Sequence, residues 1–178
     1  MLNRKRETGF TLMEILIVIA LISVISVFAI PGIMSWMPDY RLKSAARDAR
    51  SNFQKAKLAA IRERANCAFW IGGTNDKYVV YVVSDNNQVP DNGEQVIAEV
   101  NLADEYGDDG KFVSFLDDDG GPIEWIAFQP NGLPRNPGGA LEGGVLTIDN
   151  SKGNTFEIIV TRAGNIRTHA DWIDEDVQ

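Results

Sequence analysis

The sequence is poor in the residues that build most catalytic and metal sites. It contains one cysteine, Cys67, and one histidine, His169, among 178 residues. A single cysteine excludes a disulfide within the chain, and one cysteine with one histidine cannot supply the four ligands of a structural zinc site. We therefore expect Cys67 to be a small buried hydrophobic residue, and we predict no bound metal and no other cofactor.

Motifs for covalent or phosphate chemistry are absent as well. No nucleophile, base and acid are spaced as a catalytic set. The glycine pairs at 72–73, 120–121, 138–139 and 143–144 lack the strand–loop–helix context and the Lys-Ser/Thr of a phosphate-binding loop. Paired carboxylates do occur, but they lie among turn residues. We predict no catalytic residues, so the protein is expected not to be an enzyme.

Positive charge is scarce in the second half of the chain. Residues 65–178 contain 6 lysine and arginine residues against 20 aspartate and glutamate residues, a formal charge of −14 for this part and −8 for the whole chain. An acidic domain repels phosphate backbones. The composition therefore argues against nucleic acid as a partner.

Oxygen-bearing side chains cluster in three loops of the acidic half. The first cluster departs from an EF-hand loop, because Val89 and Pro90 stand where a ligand and a glycine are needed. We expect solvated turn residues here, with loose calcium binding as the alternative. The clusters are Asp85, Asn87, Asp91 and Glu94 in the first loop, 108–109 in the second and 117–119 in the third.

A long apolar run near the N-terminus is the most prominent feature that is present. Residues 10–30 contain one charge, and 21 residues of helix span about 30 Å, the thickness of a bilayer's hydrocarbon core. Three basic residues at 4–6 precede the run, which predicts a cytoplasmic N-terminus. A cleaved secretory signal is the competing interpretation, but the run is long and no small-x-small site follows it.

Two residues of this region need an explanation. An acid at the centre of a membrane costs about 2.5–3.5 kcal/mol and less near the edge, so Glu14 could simply reach back to the headgroups. Pro31 removes a helix hydrogen bond and is expected to kink the helix. Asp39, which follows Pro38, is expected to be an N-cap or a joint.

Residues 39–66 have the pattern of an amphipathic helix. Its apolar stripe, with steps of four and three residues, could form a coiled coil or pack on the chain's own β-sheet. Fewer than three heptads, mostly with alanine, favour the sheet. The basic face could bind lipid headgroups or nucleic acid, but the charge balance favours the acidic domain of the same or a neighbouring subunit. The stripe consists of Leu42, Ala46, Ala49, Phe53, Ala56 and Ala60.

From Cys67 onward the pattern changes to short β-prone runs between turn residues. No 3.6-residue periodicity returns after this point, so we predict antiparallel sheets behind an N-terminal helix and the fold class α+β. The predicted strands are 67–71, 77–84, 95–102, 111–116, 123–129, 144–149, 154–162 and 165–169.

The stretch GFTLME at 9–14 closely resembles the class III signal sequence of type IV pilins and type II secretion pseudopilins. With Phe10 counted as one, Glu14 is the fifth residue and Pro31 the twenty-second. The resemblance implies that a prepilin peptidase cuts between Gly9 and Phe10 and N-methylates Phe10. It further implies that Glu14 pairs with the N-terminal amine of a neighbouring subunit during filament assembly.

The second half of the chain is similar to the GspH/FimT group of minor pseudopilins. An Ala- and Arg-rich helix leads straight into a strand, and an Asp/Asn loop with Gly93-Glu94 follows. Later, Phe128-x-Pro130-x-Gly132 precedes a final hairpin around Ala163-Gly164. The implied fold is a long N-terminal helix packed on antiparallel sheets. Its implied parts are a cleaved leader 1–9, a transmembrane segment 10–37, a periplasmic helix half 38–66 and a β-rich domain 67–178.

The resemblance implies a structural minor pseudopilin or minor pilin of a type II secretion pseudopilus or type IV pilus. The implied partners are prepilin peptidase, other pilin or pseudopilin subunits, the inner-membrane assembly platform and the lipid bilayer. The implied location is the inner membrane, single-pass, with a cytoplasmic N-terminus and a periplasmic domain that enters a filament. A major pilin subunit is one alternative.

A DNA-binding minor pilin of the DNA-uptake machinery is the other alternative. FimT-type proteins of that machinery bind DNA through Gly-Arg-x-Arg, which would correspond to residues 164–167. Asn165 replaces the first arginine, so Arg162 and Arg167 are the only candidate DNA contacts there. Four acids follow between 171 and 176, and they argue against this function.

Overall fold

The computed structural model describes residues 10–72, 77–83, 90, 93–107, 109, 111–136 and 139–170, without the side chains of residues 31, 112 and 113. The chain divides into two compact units, Met1–Met37 and Pro38–Gln178. The strand predicted at 67–71 has the same bounds in the structure. The predicted loop residues Asp85, Asn87, Asp91 and Asp108 lie outside the part of the chain that the structure describes.

In the first unit, the described residues form the start of helix α1, Leu12–Glu63. The stretch Leu12–Ile30 is long and apolar enough to cross a membrane, with a mean hydropathy of 2.8. Ser23 and Ser26 donate hydrogen bonds to the carbonyl oxygens of Ile19 and Ile22, both at 2.8 Å. These bonds satisfy the two hydroxyl groups within the helix, as an apolar environment requires. The helix continues through Pro31 without a break, and the kink there stays a prediction.

In the second unit, α1 packs on two antiparallel sheets. Five strands form sheet A in the order β3-β2-β1-β5-β6, and four form sheet B in the order β4-β7-β8-β9. The predicted class α+β is confirmed. The strands are β1 Cys67–Ile71, β2 Lys77–Val82, β3 Gln95–Asn101, β4 Lys111–Asp117, β5 Trp125–Phe128, β6 Pro134–Arg135, β7 Gly144–Asp149, β8 Thr155–Val160 and β9 Ile166–Ala170.

The apolar stripe of α1 is the centre of the core. All six of its predicted residues are fully or almost fully buried, and they share one cluster with residues of both sheets. Phe53 stacks on Phe69 of β1 at 3.9 Å between ring centroids and meets the edge of Phe115 of β4 at 6.2 Å. The helix therefore joins the two sheets through its own side chains, and the prediction that the stripe packs on the chain's own sheet is confirmed.

Two short elements were not predicted. Helix α2, Leu102–Tyr106, begins where the sequence pattern extends a strand to Leu102. The Asn101 side chain accepts a hydrogen bond from the Ala103 N–H, which caps the helix. Leu102 and Tyr106, four residues apart, are both buried. The capping bond and this spacing end the strand and start one turn of helix. Strand β6 has two residues, too few for a period of two to be visible.

Candidate functional site

Phe10, Thr11 and Glu14 form the described part of the motif at the start of α1; Gly9 lies outside the described residues. The Glu14 N–H donates to the Thr11 hydroxyl at 3.2 Å, and the Thr11 N–H approaches a Glu14 carboxylate oxygen at 3.5 Å. This reciprocal pair is a capping box, which satisfies two backbone donors at the helix N-terminus. Sequence reasoning missed it, although the Thr-x-x-Glu spacing signals it. Phe10 itself is 82% exposed.

The apolar surface of α1 between Leu12 and Ile30 has no cover. None of this stretch is buried within the chain. A soluble protein rarely exposes such a continuous apolar surface, so lipid or other apolar helices must cover it. Glu14, near its start, is the one carboxylate on this surface and is exposed as well. This arrangement suits a membrane anchor that can also pack against similar helices.

Two glycine turns meet at the opposite end of α1. Gly132 follows β5 and Gly164 follows β8, both with φ between 75° and 78°, a region that favours glycine. The Lys57 ammonium donates to the Gly164 carbonyl oxygen at 2.9 Å. A Cβ on Gly132 would lie 3.1 Å from Cε of Lys57. The two glycines of the predicted subgroup pattern are therefore brought together, and they join both sheets to the helix.

Asp39 holds the hairpin turn between β7 and β8 against α1. Its carboxylate accepts hydrogen bonds from Asn150 Nδ2 at 2.8 Å, Lys152 Nζ at 2.8 Å and Asn154 Nδ2 at 2.7 Å. Burial alone would raise the pKa of Asp39, but these hydrogen bonds and the Lys152 charge outweigh it and lower the pKa. The expectation of an N-cap at Asp39 is wrong, because the helix is continuous here and the side chain binds the hairpin instead. Asp39 is the second residue of the second unit, as the alternative expectation of a joint has it.

Asp109 is a second link between α1 and the same hairpin. It is 94% buried, with one carboxylate oxygen 3.5 Å from an Arg41 guanidinium nitrogen. The other oxygen accepts from the Ser151 N–H at 3.2 Å and from its hydroxyl at 2.7 Å. The expectation of a solvated turn residue is wrong for Asp109, because its carboxylate is occupied by partners within the fold.

Two of the three carboxylates at 117–119, those of Asp117 and Asp118, also have structural partners. Asp117 Oδ1 accepts from the N–H groups of Asp119 and Gly121, which closes the turn after β4. Asp118 accepts from the Gly143 N–H at 3.0 Å and from Arg162 at 2.7 Å. Within the described residues, no three His, Cys, Asp or Glu side chains are placed to hold a metal ion.

The two candidate DNA contacts differ in their surroundings. The Arg162 guanidinium lies 2.7 Å from Asp118 and 3.9 Å from Glu142. These acids stabilise the charged guanidinium and so raise the pKa of Arg162, and their negative charges balance its positive charge. Arg167 is exposed on β9, opposite Ile159 of β8. Among the residues that the structure describes, the final hairpin thus carries one arginine without an ion-pair partner rather than a cationic pair.

Cys67 is fully buried on β1. Its thiol lies 3.1 Å from the Tyr81 carbonyl oxygen. Burial, with a smaller contribution from Glu63, raises the pKa of Cys67 to about 12. A thiol with such a pKa is neither a nucleophile nor a ready metal ligand at neutral pH. The structure therefore places Cys67 as expected, as a small residue of the core.

Comparison with known families matches both parts of the chain. Residues 4–30 match the prokaryotic N-terminal methylation motif. Residues 45–164, two thirds of the chain, match the family of the type II transport protein GspH. The chain belongs to the GspH family. The matched region ends at Gly164, so it includes both glycine turns and the part of α1, residues 45–63, that carries Lys57.

Solved structures with a similar fold are minor pilins and pseudopilins. The type IV minor pilin FimU of Pseudomonas aeruginosa has a TM-score of 0.50 and 14% identity, with 72% of this chain and 92% of FimU covered. The minor pseudopilin EpsH from the Type 2 Secretion System of Vibrio cholerae has a TM-score of 0.50 and 10% identity, with 73% and 97% covered. No curated protein sequence matches the chain.

Membership of the GspH family supports a minor pseudopilin or minor pilin role, and the predicted role is confirmed. Pilin and pseudopilin families consist of structural subunits rather than enzymes. The methylation motif and the apolar helix fit a membrane-anchored filament subunit that associates with other pilin-like subunits. No comparison supports the DNA-binding alternative.

Proposed function

We propose that this GspH-family chain is a non-enzymatic subunit of a short filament at the inner membrane. A prepilin peptidase removes residues 1–9 and N-methylates Phe10. The domain then lies in the periplasm, and an assembly platform in the inner membrane moves the subunit into a type II secretion pseudopilus or a type IV pilus. The observation that carries the proposal is a methylation motif on an uncovered apolar helix that continues into a GspH-family domain.

The geometry at the helix start supports a charge-pairing role for Glu14. Cleavage after Gly9 would create an ammonium at Phe10, beside the capping box. In apolar surroundings an unpaired carboxylate is costly, and a partner of opposite charge offsets much of that cost. Glu14 uses one oxygen for the Thr11 N–H, so the second oxygen is left to accept from the Phe10 ammonium of a neighbouring subunit.

The parts of the chain have different tasks in this proposal. Residues 10–37 anchor the subunit in lipid and then pack in the filament, with the predicted kink at Pro31 helping the helix to fit. Residues 38–66 belong to the folded domain, because their apolar stripe is buried there. Residues 67–178 form the β-rich domain that lies in the periplasm and is exposed on the filament.

Mass spectrometry of the processed chain tests the first step. The full chain is co-expressed with a prepilin peptidase, recovered from inner-membrane vesicles and analysed at its N-terminus. We expect a chain that begins with N-methylated Phe10. A Gly9→Leu variant should keep residues 1–9, because the family's cleavage junction is Gly-Phe. A wild-type chain that retains its leader, or is cut elsewhere, would refute the processing step.

Protease protection of the same vesicles tests the orientation. Inverted vesicles should shield the domain from added protease. Spheroplasts, in which the disrupted outer membrane exposes the periplasmic face of the inner membrane, should leave the domain accessible. Digestion of the domain in intact inverted vesicles would contradict the periplasmic location. Co-purification with sheared filaments, compared with the major subunit, then separates a minor from a major component by abundance.

A further inference from the structure

One side of α1 carries two exposed arginines. Arg50 and Lys57 are seven residues apart, close to two full turns, so they lie on the same side of the helix. Lys57 shows which side this is, because it contacts both glycine turns. Arg47 lies one turn before Arg50, and neither arginine has a hydrogen-bond or ion-pair partner among the residues that the structure describes. We call Arg47 and Arg50 the basic flank.

The opposite side of α1 carries acids at the same level. Asp48 lies two residues before Arg50, which places the two side chains about 200° apart around the helix axis and about 3 Å apart along it. Asp48 accepts a hydrogen bond from the Tyr106 hydroxyl, so α2 lies on this side. Two further acids of α2 are exposed, and neither pairs with a cation within the described part of the chain. We call these three acids the acidic flank: Asp48, Asp104 and Glu105.

The nearest cations of α1 on this side do not neutralise the acidic flank. Arg41 and Lys55 lie seven residues before and after Asp48, about 10 Å away along the helix. Arg41 faces Asp109, and the Lys55 ammonium donates to the Asn52 side chain at 2.8 Å. The two flanks therefore present opposite charges on opposite sides of the domain, at one level.

This arrangement suits a contact between two copies of the chain. When two copies stand side by side with their α1 helices parallel, the basic flank of one copy faces the acidic flank of the next without a shift along the helix. Such a contact is heterologous, because the two copies use different surfaces. Each copy keeps one flank free, so the contact can repeat into an open filament.

We propose that the basic flank of one copy binds the acidic flank of a second copy, with the α1 helices parallel. Arg47 and Arg50 anchor the contact, since an arginine can bind a carboxylate through two parallel hydrogen bonds. A single exposed ion pair contributes little. The contact therefore depends on copies that share one membrane, because anchoring raises their effective concentration. In this respect it rests on the proposed function.

Cross-linking between two single-cysteine variants tests the proposal on the full chain in lipid vesicles. One variant carries Gln54→Cys, one turn after Arg50, and the other carries Ala103→Cys, beside the acids of α2. Both positions are exposed, whereas the native Cys67 is fully buried and stays in place. With a short bismaleimide, the mixture should give several-fold more dimer than either variant alone. A mixture without this excess, or equal dimer from one variant alone, would overturn the proposal.

Charge reversal identifies the groups that hold the copies together. Arg47→Glu with Arg50→Glu, introduced into the chain that carries Gln54→Cys, should reduce the dimer several-fold. Asp104→Lys with Glu105→Lys in the other chain should then restore it, because the two reversed flanks attract each other again. If the first reversal leaves the dimer unchanged, the basic flank is not the contact.

A matched control separates the acidic flank from overall charge. Asp119→Lys with Glu124→Lys reverses two exposed acids beyond β4, a strand of seven residues that spans about 20 Å. This pair should not restore the dimer, and restoration equal to that by the α2 pair would overturn the proposal. The vesicles contain no prepilin peptidase and no assembly platform. A negative result here therefore leaves the proposed processing and location standing, and failed processing would not affect the cross-link.

Discussion

Gly164 lies so close to Gly132 that a Cβ on Gly164 would overlap the Gly132 carbonyl oxygen. One glycine belongs to the turn after β5 in sheet A and the other to the turn after β8 in sheet B. Lys57 of α1 contacts both turns. The relationship explains physically why Phe-x-Pro-x-Gly and a late glycine hairpin occur together in this chain: they are two halves of one contact.

Gly164→Ala should therefore be strongly destabilising. Its positive φ of 75° alone costs an alanine about 1–2 kcal/mol, and the backbone overlap raises the expected loss to about 3 kcal/mol or more. Urea unfolding of the full chain in micelles, followed by tryptophan fluorescence, measures the difference. Gly153→Ala is the matched control, because Gly153 has φ of 81° but nothing within 4 Å of its Cβ position. Equal losses in the two variants would disprove the contact.

Local sequence patterns predict most of the fold and little of the long-range polar structure. The buried stripe of α1 and the strand 144–149 follow from periodicity, since burial of one face imposes the pattern. The strand 67–71 follows instead from a short apolar run that is buried almost throughout. The hydrogen bonds between Asp39 and the hairpin at 150–154, which we call the Asp39 clasp, join residues more than 110 positions apart. No spacing rule connects such residues, because only the packed sheets bring them together.

The acidic loops show the same limit. In sequence, an aspartate in a turn looks the same whether its carboxylate faces water or is buried against an arginine. Asp109 differs from its neighbours only through Arg41 and Ser151, which other elements position. For the same reason Arg162 looks like a free cation until the fold places Asp118 and Glu142 beside it.

Asp39 should make stability sensitive to acid. The pKa of Asp39 is lower in the folded chain than its ordinary value of 3.8. The carboxylate therefore contributes its full stability above about pH 4, and this contribution is lost as the pH falls through the lowered pKa. Asp39→Asn should lower the free energy of unfolding by about 1–2 kcal/mol at neutral pH, as expected for the loss of hydrogen bonds to a charged group. The free energy of unfolding of this variant should also fall less steeply than that of the wild type as the pH is lowered.

Unfolding curves between pH 2.5 and pH 7 provide the measurement. Glu124→Gln removes one carboxylate from an exposed side chain that has no partner in the described part of the chain, so it serves as the control. This variant should have a free energy of unfolding close to that of the wild type both at neutral pH and at acidic pH. If the free energy of unfolding of Asp39→Asn depends on pH just as that of the wild type does, the hydrogen bonds between Asp39 and the hairpin do not stabilise the fold.

The full chain should not bind DNA with micromolar affinity, even at low salt. At the final hairpin Arg162 is held by two acids, and Arg167 alone cannot neutralise enough phosphates for measurable binding. The cations of α1 are outweighed by the formal charge of −14 on residues 65–178, which repels the phosphate backbone. A gel shift with duplex DNA checks this, with Arg167→Ala as the companion variant. Clear binding that Arg167→Ala abolishes would restore the DNA-uptake function. Arg162→Ala should instead lower thermal stability slightly, because it frees Asp118.

Glu14 has two roles that one pair of variants can separate. Glu14→Gln keeps an acceptor for the Thr11 N–H but removes the charge, whereas Thr11→Val keeps the charge but removes the hydroxyl that caps the helix. If the carboxylate pairs with the Phe10 ammonium of a neighbouring subunit, charge decides assembly and the local cap does not. We therefore expect Glu14→Gln to be inserted and processed but largely lost from sheared filaments.

Thr11→Val should enter filaments at a level close to that of the wild type. The measurement is the ratio of filament-bound to membrane-bound subunit, taken from cells that express the companion subunits. Loss of both variants from filaments would mean that the capping box, rather than the charge, limits assembly. Wild-type incorporation of Glu14→Gln would remove the pairing role altogether, because a neutral amide cannot offset the ammonium of the neighbouring chain.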